Sequence, residues 1–161
     1  MNGRLEVEFI DVYSPSGGGI INNWVSDIIA GIIPEKDENI RHWMHIRDAI
    51  NARETLERNN MQGYFVICGR RAWTQDMVLD EIRGLWTRYQ NTLSHSHTIS
   101  SLSELSSPAA VSYSGERRRP DLGPIHQALL DCGTDGWRPS IAMRMGLMEC
   151  IAHSIEEIGS E

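Results

Sequence analysis

The chain is 161 residues long, 40% hydrophobic and 23% charged, with a formal net charge of −7. That length supports one hydrophobic core and is short for two, so a single domain spanning 1–161 is expected. The acidic balance excludes a protein whose whole surface grips nucleic acid or anionic lipid, and no apolar run approaches the ~18 residues that a membrane span needs.

Lys36 is the only lysine among 15 basic residues. An arginine-dominated surface favours planar, bidentate contacts with phosphate or carboxylate, although codon usage alone produces the same bias. Met1 is followed by Asn2-Gly3-Arg4 with no basic-apolar leader, so the sequence reads as an intracellular, cytoplasmic protein with no transmembrane segment. Cys68, Cys132 and Cys150 lack CxxC spacing and sit in apolar surroundings, as reduced and buried cysteines do.

In chain order, residues 5–13 alternate Leu5, Val7 and Phe9 against Glu6 and Glu8, then switch parity at Ile10 and Val12. This predicts a strand with either a bulge or cover on both faces near its end. Ser14-Pro15-Ser16-Gly17-Gly18-Gly19 is a turn. After it, apolar doublets four apart (Ile20/Ile21, Trp24/Val25, Ile28/Ile29, Ile32/Ile33) predict an amphipathic helix over 20–33, stopped by Pro34. A second helix is predicted over 38–58, capped at or near Asp37, with a rich polar surface that includes Arg41, His42, Arg47 and Asp48. The continuous run Tyr64-Phe65-Val66-Ile67-Cys68 between Gly63 and Gly69 reads as a strand over 63–69, the best candidate to pair with 5–13 in either direction.

Thr74 is placed to cap a third helix over 75–93. Residues 94–119 then combine nine serines between Ser94 and Ser114 with low hydrophobicity, which predicts a mobile loop, with Ala110-Val111-Ser112-Tyr113 as a candidate short strand. A short helix after Gly123-Pro124 and a last helix opening at Pro139 make a helical C-terminal part. The expected fold class is therefore α+β, a small sheet covered by amphipathic helices.

Chemistry-bearing patterns are sparse. Gly17, Gly18 and Gly19 stand where a strand-to-helix phosphate loop would, but without GxGxxG or GK[ST] spacing, so a plain flexible turn is the better reading. Glu38, His42 and His45 would share a face if helical, yet lack HExxH spacing, so no metal is assigned. Cys68 beside Arg70 and Arg71 is the one cysteine in an electropositive context. No nucleophile elbow is present, no catalytic residue is assigned and no cofactor is implied. Arg70, Arg71 and Trp73 form a basic-aromatic cluster after the second strand, and Arg117-Arg118-Arg119 is the densest positive run. Both are candidate interaction sites, for protein partners, RNA or an acidic surface.

The opening Asn2-Gly3-Arg4-Leu5-Glu6-Val7, the turn Tyr13-Ser14-Pro15-Ser16-Gly17-Gly18, and the helix, helix and strand after them resemble the matrix proteins of rhabdoviruses over about the first 70 residues. The resemblance implies a small structural protein that self-associates and bridges nucleocapsid and peripheral membrane, with no catalytic residues to carry over. The expected function is thus non-enzymatic assembly. Its alternative is a small enzyme or ligand-binding domain with an anion site at Ser14–Gly19.

Overall fold

The computed structural model of the chain describes residues 3–93 and 119–159. Of the serine-rich segment 94–119, only Arg119 falls within it, so the loop and the short strand expected there lie outside the described residues. The fold is α+β, with strands β1 (Leu5–Phe9), β2 (Val12–Tyr13), β3 (Met44–His45) and β4 (Gly63–Ile67). The helices are α1 (Ile20–Ile29), α2 (Ile46–Arg58), α3 (Gln75–Leu93), α4 (Gly123–Asp131) and α5 (Met143–Gly159). The described residues group into two compact units that interleave along the chain: 3–13, 41–72 and 119–142 form one, and 14–40, 73–93 and 143–159 the other.

In the first unit β1 and β4 pair in parallel, Leu5 opposite Gly63 through Phe9 opposite Ile67, and β2 pairs in parallel with β3. The direction left open by the sequence is therefore parallel. The parity switch is a real break: Asp11 takes a left-handed φ of 55° between β1 and β2, and its carbonyl accepts from Met44 N. Helices α2 and α4 cover the sheet, and Leu56, Ile67 and Ile125 are fully buried with Met44, Leu129 and Trp137 around them. At roughly 1.5–3 kcal/mol for each buried aliphatic or aromatic side chain, this cluster holds the unit together.

The second unit is three helices, with α1 and α3 both packed on α5 and on each other. Trp24 and Val25 of α1, Val78 and Ile82 of α3, and Leu147 and Cys150 of α5 are buried there. The Arg144 guanidinium donates to both carboxylate oxygens of Glu81, at 3.0 and 3.2 Å, tying α5 to α3. Thr74 caps α3 as its sequence predicts, accepting from Met77 N at 3.2 Å.

Two helices start or stop elsewhere than the pattern suggests. α1 ends at Ile29, not 33, because Gly31 adopts φ 75° and closes a Schellman motif, with Gly31 N on the Ile28 carbonyl and Ile32 N on that of Asp27. Ile32 and Ile33 thus leave the helix and stand exposed, at 57% and 87%. α2 begins at Ile46, not 38: His42 N goes to the Asp11 carboxylate, Met44 N to the Asp11 carbonyl, and the His42 carbonyl to Gly69 N. Those partners take the backbone groups that a helix over 38–45 would have used. Asp37 instead closes a local turn on Asn39, and His45 is the cap, its Nδ1 accepting from Arg47 N at 3.0 Å. His42 and His45 are therefore not helical neighbours, and among the described residues no group of three or more His, Cys, Asp or Glu is arranged to hold a metal.

The last helix likewise opens at Met143 and not at Pro139, since the amides of Ser140 and Ile141 are held by the Asp48 carboxylate. Among the described residues no helix is long and apolar enough to cross a membrane.

Candidate anion site at the carboxyl edge of the parallel strands

Because β1 and β4 run in the same direction, both end on one edge of the sheet, and the ladder continues one step further through Ile10 N to the Ile67 carbonyl, 2.9 Å. On that edge β4 leads into Cys68-Gly69-Arg70-Arg71. A side chain at position 69 is impossible without rearrangement: a Cβ there would lie 2.1 Å from the Trp43 carbonyl oxygen and 2.9 Å from that of His42. The glycine lets segment 41–44 close onto the strand end, and its own N–H donates to the His42 carbonyl at 2.8 Å. From the other side the buried indole N–H of Trp137 donates to the Cys68 carbonyl at 2.8 Å. The strand end is thus held rigidly, and the two arginines after it project from a fixed base.

Arg119 is brought to the same place. Its Nη1 donates to the Arg70 carbonyl at 2.8 Å, across 49 positions of sequence, and Arg70, Arg71 and Arg119 are all exposed. Nearby in the same unit, Asp11 balances charge on the other flank: its carboxylate accepts from His42 N at 2.7 Å and pairs with Arg41 at 3.5 Å. Arg41 in turn lies over the Trp43 ring, 5.6 Å from its centroid.

Cys68 lies between these charges. Burial pushes its thiol up to about 11, with Asp11 adding to the rise and Arg119 opposing it. The arginine that acts on the thiol is Arg119, and burial outweighs it, so Cys68 is a packed thiol and not an activated nucleophile. Burial, assisted by Glu149, likewise raises Cys150 to about 12.

At pH 8, iodoacetamide is therefore expected to modify the half-exposed Cys132 while sparing Cys68 and Cys150, with all three reacting once urea unfolds the chain. The two raised thiols also set a pH dependence. Their contribution to stability is complete below the unfolded thiol value near 9 and is lost as pH rises toward 11–12, because only the unfolded chain releases those protons in that window. Urea melts at pH 8, 9 and 10 should show falling stability, with a shallower fall for Cys150→Ser.

The other candidate residues are dispersed. Trp73 is buried, so its ring is not part of an exposed patch with Arg70 and Arg71. Arg117 and Arg118 lie outside the described residues. Gly17, Gly18 and Gly19 form an exposed turn within the second unit, tied by Asn22, whose Nδ2 donates to the carbonyls of Ser14 at 3.0 Å and Gly17 at 2.8 Å. Gly17 has φ 95°, and a Cβ at Gly17 or Gly18 would meet nothing within 4 Å. Behind the turn α1 begins with no side-chain cap and no acidic residue in its first turn, an arrangement compatible with an anion. Asp11 and Trp137, which shape the strand edge, carry no local sequence signal; the left-handed Asp11 at a parity switch is the nearest to one.

No protein-family model matches the sequence, and no curated protein does. Solved structures of similar fold do exist. The dTDP-glucose 4,6-dehydratase of Bacillus anthracis in complex with NAD aligns with a TM-score of 0.60 and 17% identity over 96% of this chain and 45% of that one. The Bordetella bronchiseptica enzyme WbmF in complex with NAD+ and UDP aligns with a TM-score of 0.60 and 11% identity, over 97% of this chain and 46% of its own. RMD from Pseudomonas aeruginosa complexed with NADPH gives 0.62 and 14%, over 95% and 48%. The chain thus spans a little under half the length of these structures, and at such identities the likeness is one of fold.

This overturns the resemblance to rhabdovirus matrix proteins and with it the structural-assembly function and the nucleocapsid- and membrane-bridging role that the resemblance implied. The residues behind it are the start of β1 and the Ser14–Gly18 turn, where a strand must begin or reverse toward a helix. Turn chemistry of that kind recurs wherever the same local geometry is needed, so it is no guide to the fold as a whole.

Proposed function

We propose that this chain binds a nucleotide diphosphate or sugar nucleotide, as a ligand-binding part of a nucleotide-dependent enzyme, through Arg70 and Arg119 at the carboxyl edge of the β1/β4 sheet. The observation that carries this reading is the seating of the Arg119 guanidinium on the Arg70 carbonyl, which gathers two exposed cations at the end of a parallel strand. Open parallel sheets receive ligands beyond the carboxyl ends of their strands, and the planar guanidinium fork matches phosphate oxygens. With a net charge of −7 over the whole chain, a local cluster of this kind is where an anion is favoured. The ligands of the similar folds, NAD, NADPH and UDP, support the same class.

For a dinucleotide such as NAD, the element to test is the Ser14–Gly19 turn with α1. The uncapped leading amides of α1 fit a phosphate, while the three consecutive glycines do not reproduce the GxGxxG spacing of a dinucleotide fingerprint. The turn therefore suits a single phosphate group, and the nicotinamide half is assigned to no residue.

Titration calorimetry with UDP, dTDP and NAD+ separates the possibilities. UDP or dTDP is expected to bind, with affinity falling at least tenfold in Arg119→Ala and further in the Arg70→Ala/Arg119→Ala pair, and weakening with added salt. Gly18→Ala, where there is open space, should leave that binding unchanged if the arginine edge is the site. Nucleotide binding indifferent to both arginines, or no binding by any of the three ligands, would reject the reading.

A further inference from the structure

We infer that His126 is a positioning residue of the arginine edge: its imidazole holds Trp137, and through Trp137 it fixes the strand end from which Arg70 projects and on which Arg119 is seated. For its ligand the inference rests on the nucleotide reading above; the holding of the strand end follows from hydrogen bonds within the first unit.

The peptide unit between Cys68 and Gly69 is bonded at both of its polar ends. Its carbonyl accepts from the indole N–H of Trp137 at 2.8 Å, and its N–H donates to the His42 carbonyl at 2.8 Å. A planar unit held at both ends cannot rotate without breaking one of those bonds, and a rotation there would swing Arg70 together with the carbonyl that receives Arg119. Trp137 is one of the two supports, so whatever orients Trp137 also orients the edge.

That part falls to His126, near the start of α4. The chain leaves α4 through Gly133, whose φ of 85° closes the helix with bonds from Gly133 N to the Leu130 carbonyl and from Thr134 N to the Leu129 carbonyl. It then turns back, and Trp137 N donates to the His126 Nδ1 at 3.0 Å. An imidazole that accepts at Nδ1 carries its proton on Nε2, so a single tautomer serves. Gly136 makes the approach possible. A Cβ there would lie 2.2, 2.4 and 2.8 Å from Cε1, Nδ1 and Nε2 of His126, and the bare glycine, at φ 87°, lets the backbone lie against the ring.

The test uses the full chain. His126→Phe keeps a ring and loses the acceptor, whereas His126→Asn puts a carbonyl oxygen near the Nδ1 position and restores it. His126→Phe should speed hydrogen exchange of the Trp137 indole N–H, followed by NMR, and weaken UDP binding by about fivefold or more, while His126→Asn recovers most of both. In a Trp137→Phe background His126→Phe should weaken binding little further, as two residues on one path require. Gly136→Ala and Gly133→Ala each place a methyl on left-handed backbone, but only the first meets the ring, since a Cβ at Gly133 has nothing within 4 Å. UDP binding should therefore weaken in Gly136→Ala and hold in Gly133→Ala. Unchanged indole exchange in His126→Phe, equal losses in the Phe and Asn variants, or full additivity with Trp137→Phe would each overturn the inference. Failure of the wild type to bind UDP would reject the nucleotide reading and the affinity effect with it; exchange at Trp137 then decides whether His126 holds the strand end.

Discussion

Asp48→Ala is expected to destabilise the protein by about 3–5 kcal/mol, the largest effect of any single side-chain truncation outside the apolar core. Asp48 is 5% exposed, and its carboxylate accepts from Ser140 N at 2.9 Å, Ser140 Oγ at 2.8 Å and Ile141 N at 3.1 Å. Hydrogen bonds to a charged acceptor contribute about 1.5–3 kcal/mol each, and truncation would leave part-buried donors without an acceptor. For a chain of this size, such a loss corresponds to a fall in Tm of roughly 10 °C. Asp48→Asn keeps the shape and one acceptor oxygen and should lose about half as much. Thermal and urea melts followed by circular dichroism measure both. A change within about 0.5 kcal/mol for the alanine variant would mean that the 139–142 segment is held by something other than this carboxylate.

Gly69→Ala is the second severe change, and its cause is steric. The new methyl would meet the Trp43 and His42 carbonyl oxygens at 2.1 and 2.9 Å, both backbone atoms that cannot swing aside as a side chain can. Relief requires segment 41–44 to move off the strand end, which sacrifices the 2.8 Å bond from Gly69 N to the His42 carbonyl. A loss of about 2–4 kcal/mol is expected, together with weaker nucleotide binding, because the base from which Arg70 and Arg119 project would shift. Gly18→Ala is the matched control, since its added methyl would have nothing within 4 Å, and it should change stability by no more than about 0.5 kcal/mol. Exchange of the Gly69 amide, slow in the wild type and fast in the variant, would tie the loss to that contact; a Gly69→Ala protein with wild-type stability would refute it.

Where pattern and structure agree, the information is local. α3 spans 75–93 with Thr74 at its cap because an apolar stripe and a hydroxyl at the right spacing specify a helix within a few turns of themselves. Strands β1 and β4 are legible from alternation and from an apolar run, and so is the break at Asp11 from the switch of parity. The boundaries that differ have distant or unobvious causes. Pro34 is the conspicuous stop for α1, whereas Gly31, three residues earlier, supplies the left-handed residue that ends it. Residues 38–45 have helical composition, but their backbone groups are claimed by Asp11 and Gly69, which lie about 30 residues to either side, and local propensity yields to those partners.

The site is less legible for the same reason. Asp48 sits among polar neighbours on α2 and reads as part of a solvated face; its burial depends on Ser140 and Ile141, 92 and 93 residues away. Arg70 and Arg119 are each conspicuous as basic residues, but that one rests on the other's carbonyl is a fact of the tertiary fold. Trp73 belongs to the same sequence cluster and proves to be buried, since adjacency along a chain says nothing about which side chains face water.

The interleaving of the two units constrains how this protein can be made and taken apart. Each unit is assembled from three separated pieces of chain, and the second receives α5 only from residues 143–159. Synthesis from the amino terminus therefore cannot complete one unit and release it before starting the other: Leu147, Cys150 and Ile151, which fill the three-helix unit, emerge after every other described piece of both units. Until then α1 and α3 present their apolar faces with no α5 to cover them, a period in which a nascent-chain chaperone has something to bind. For the same reason no single cut in the gene yields either unit by itself, and a ribosome-stalled chain ending before residue 143 should be far more sensitive to protease than the released protein.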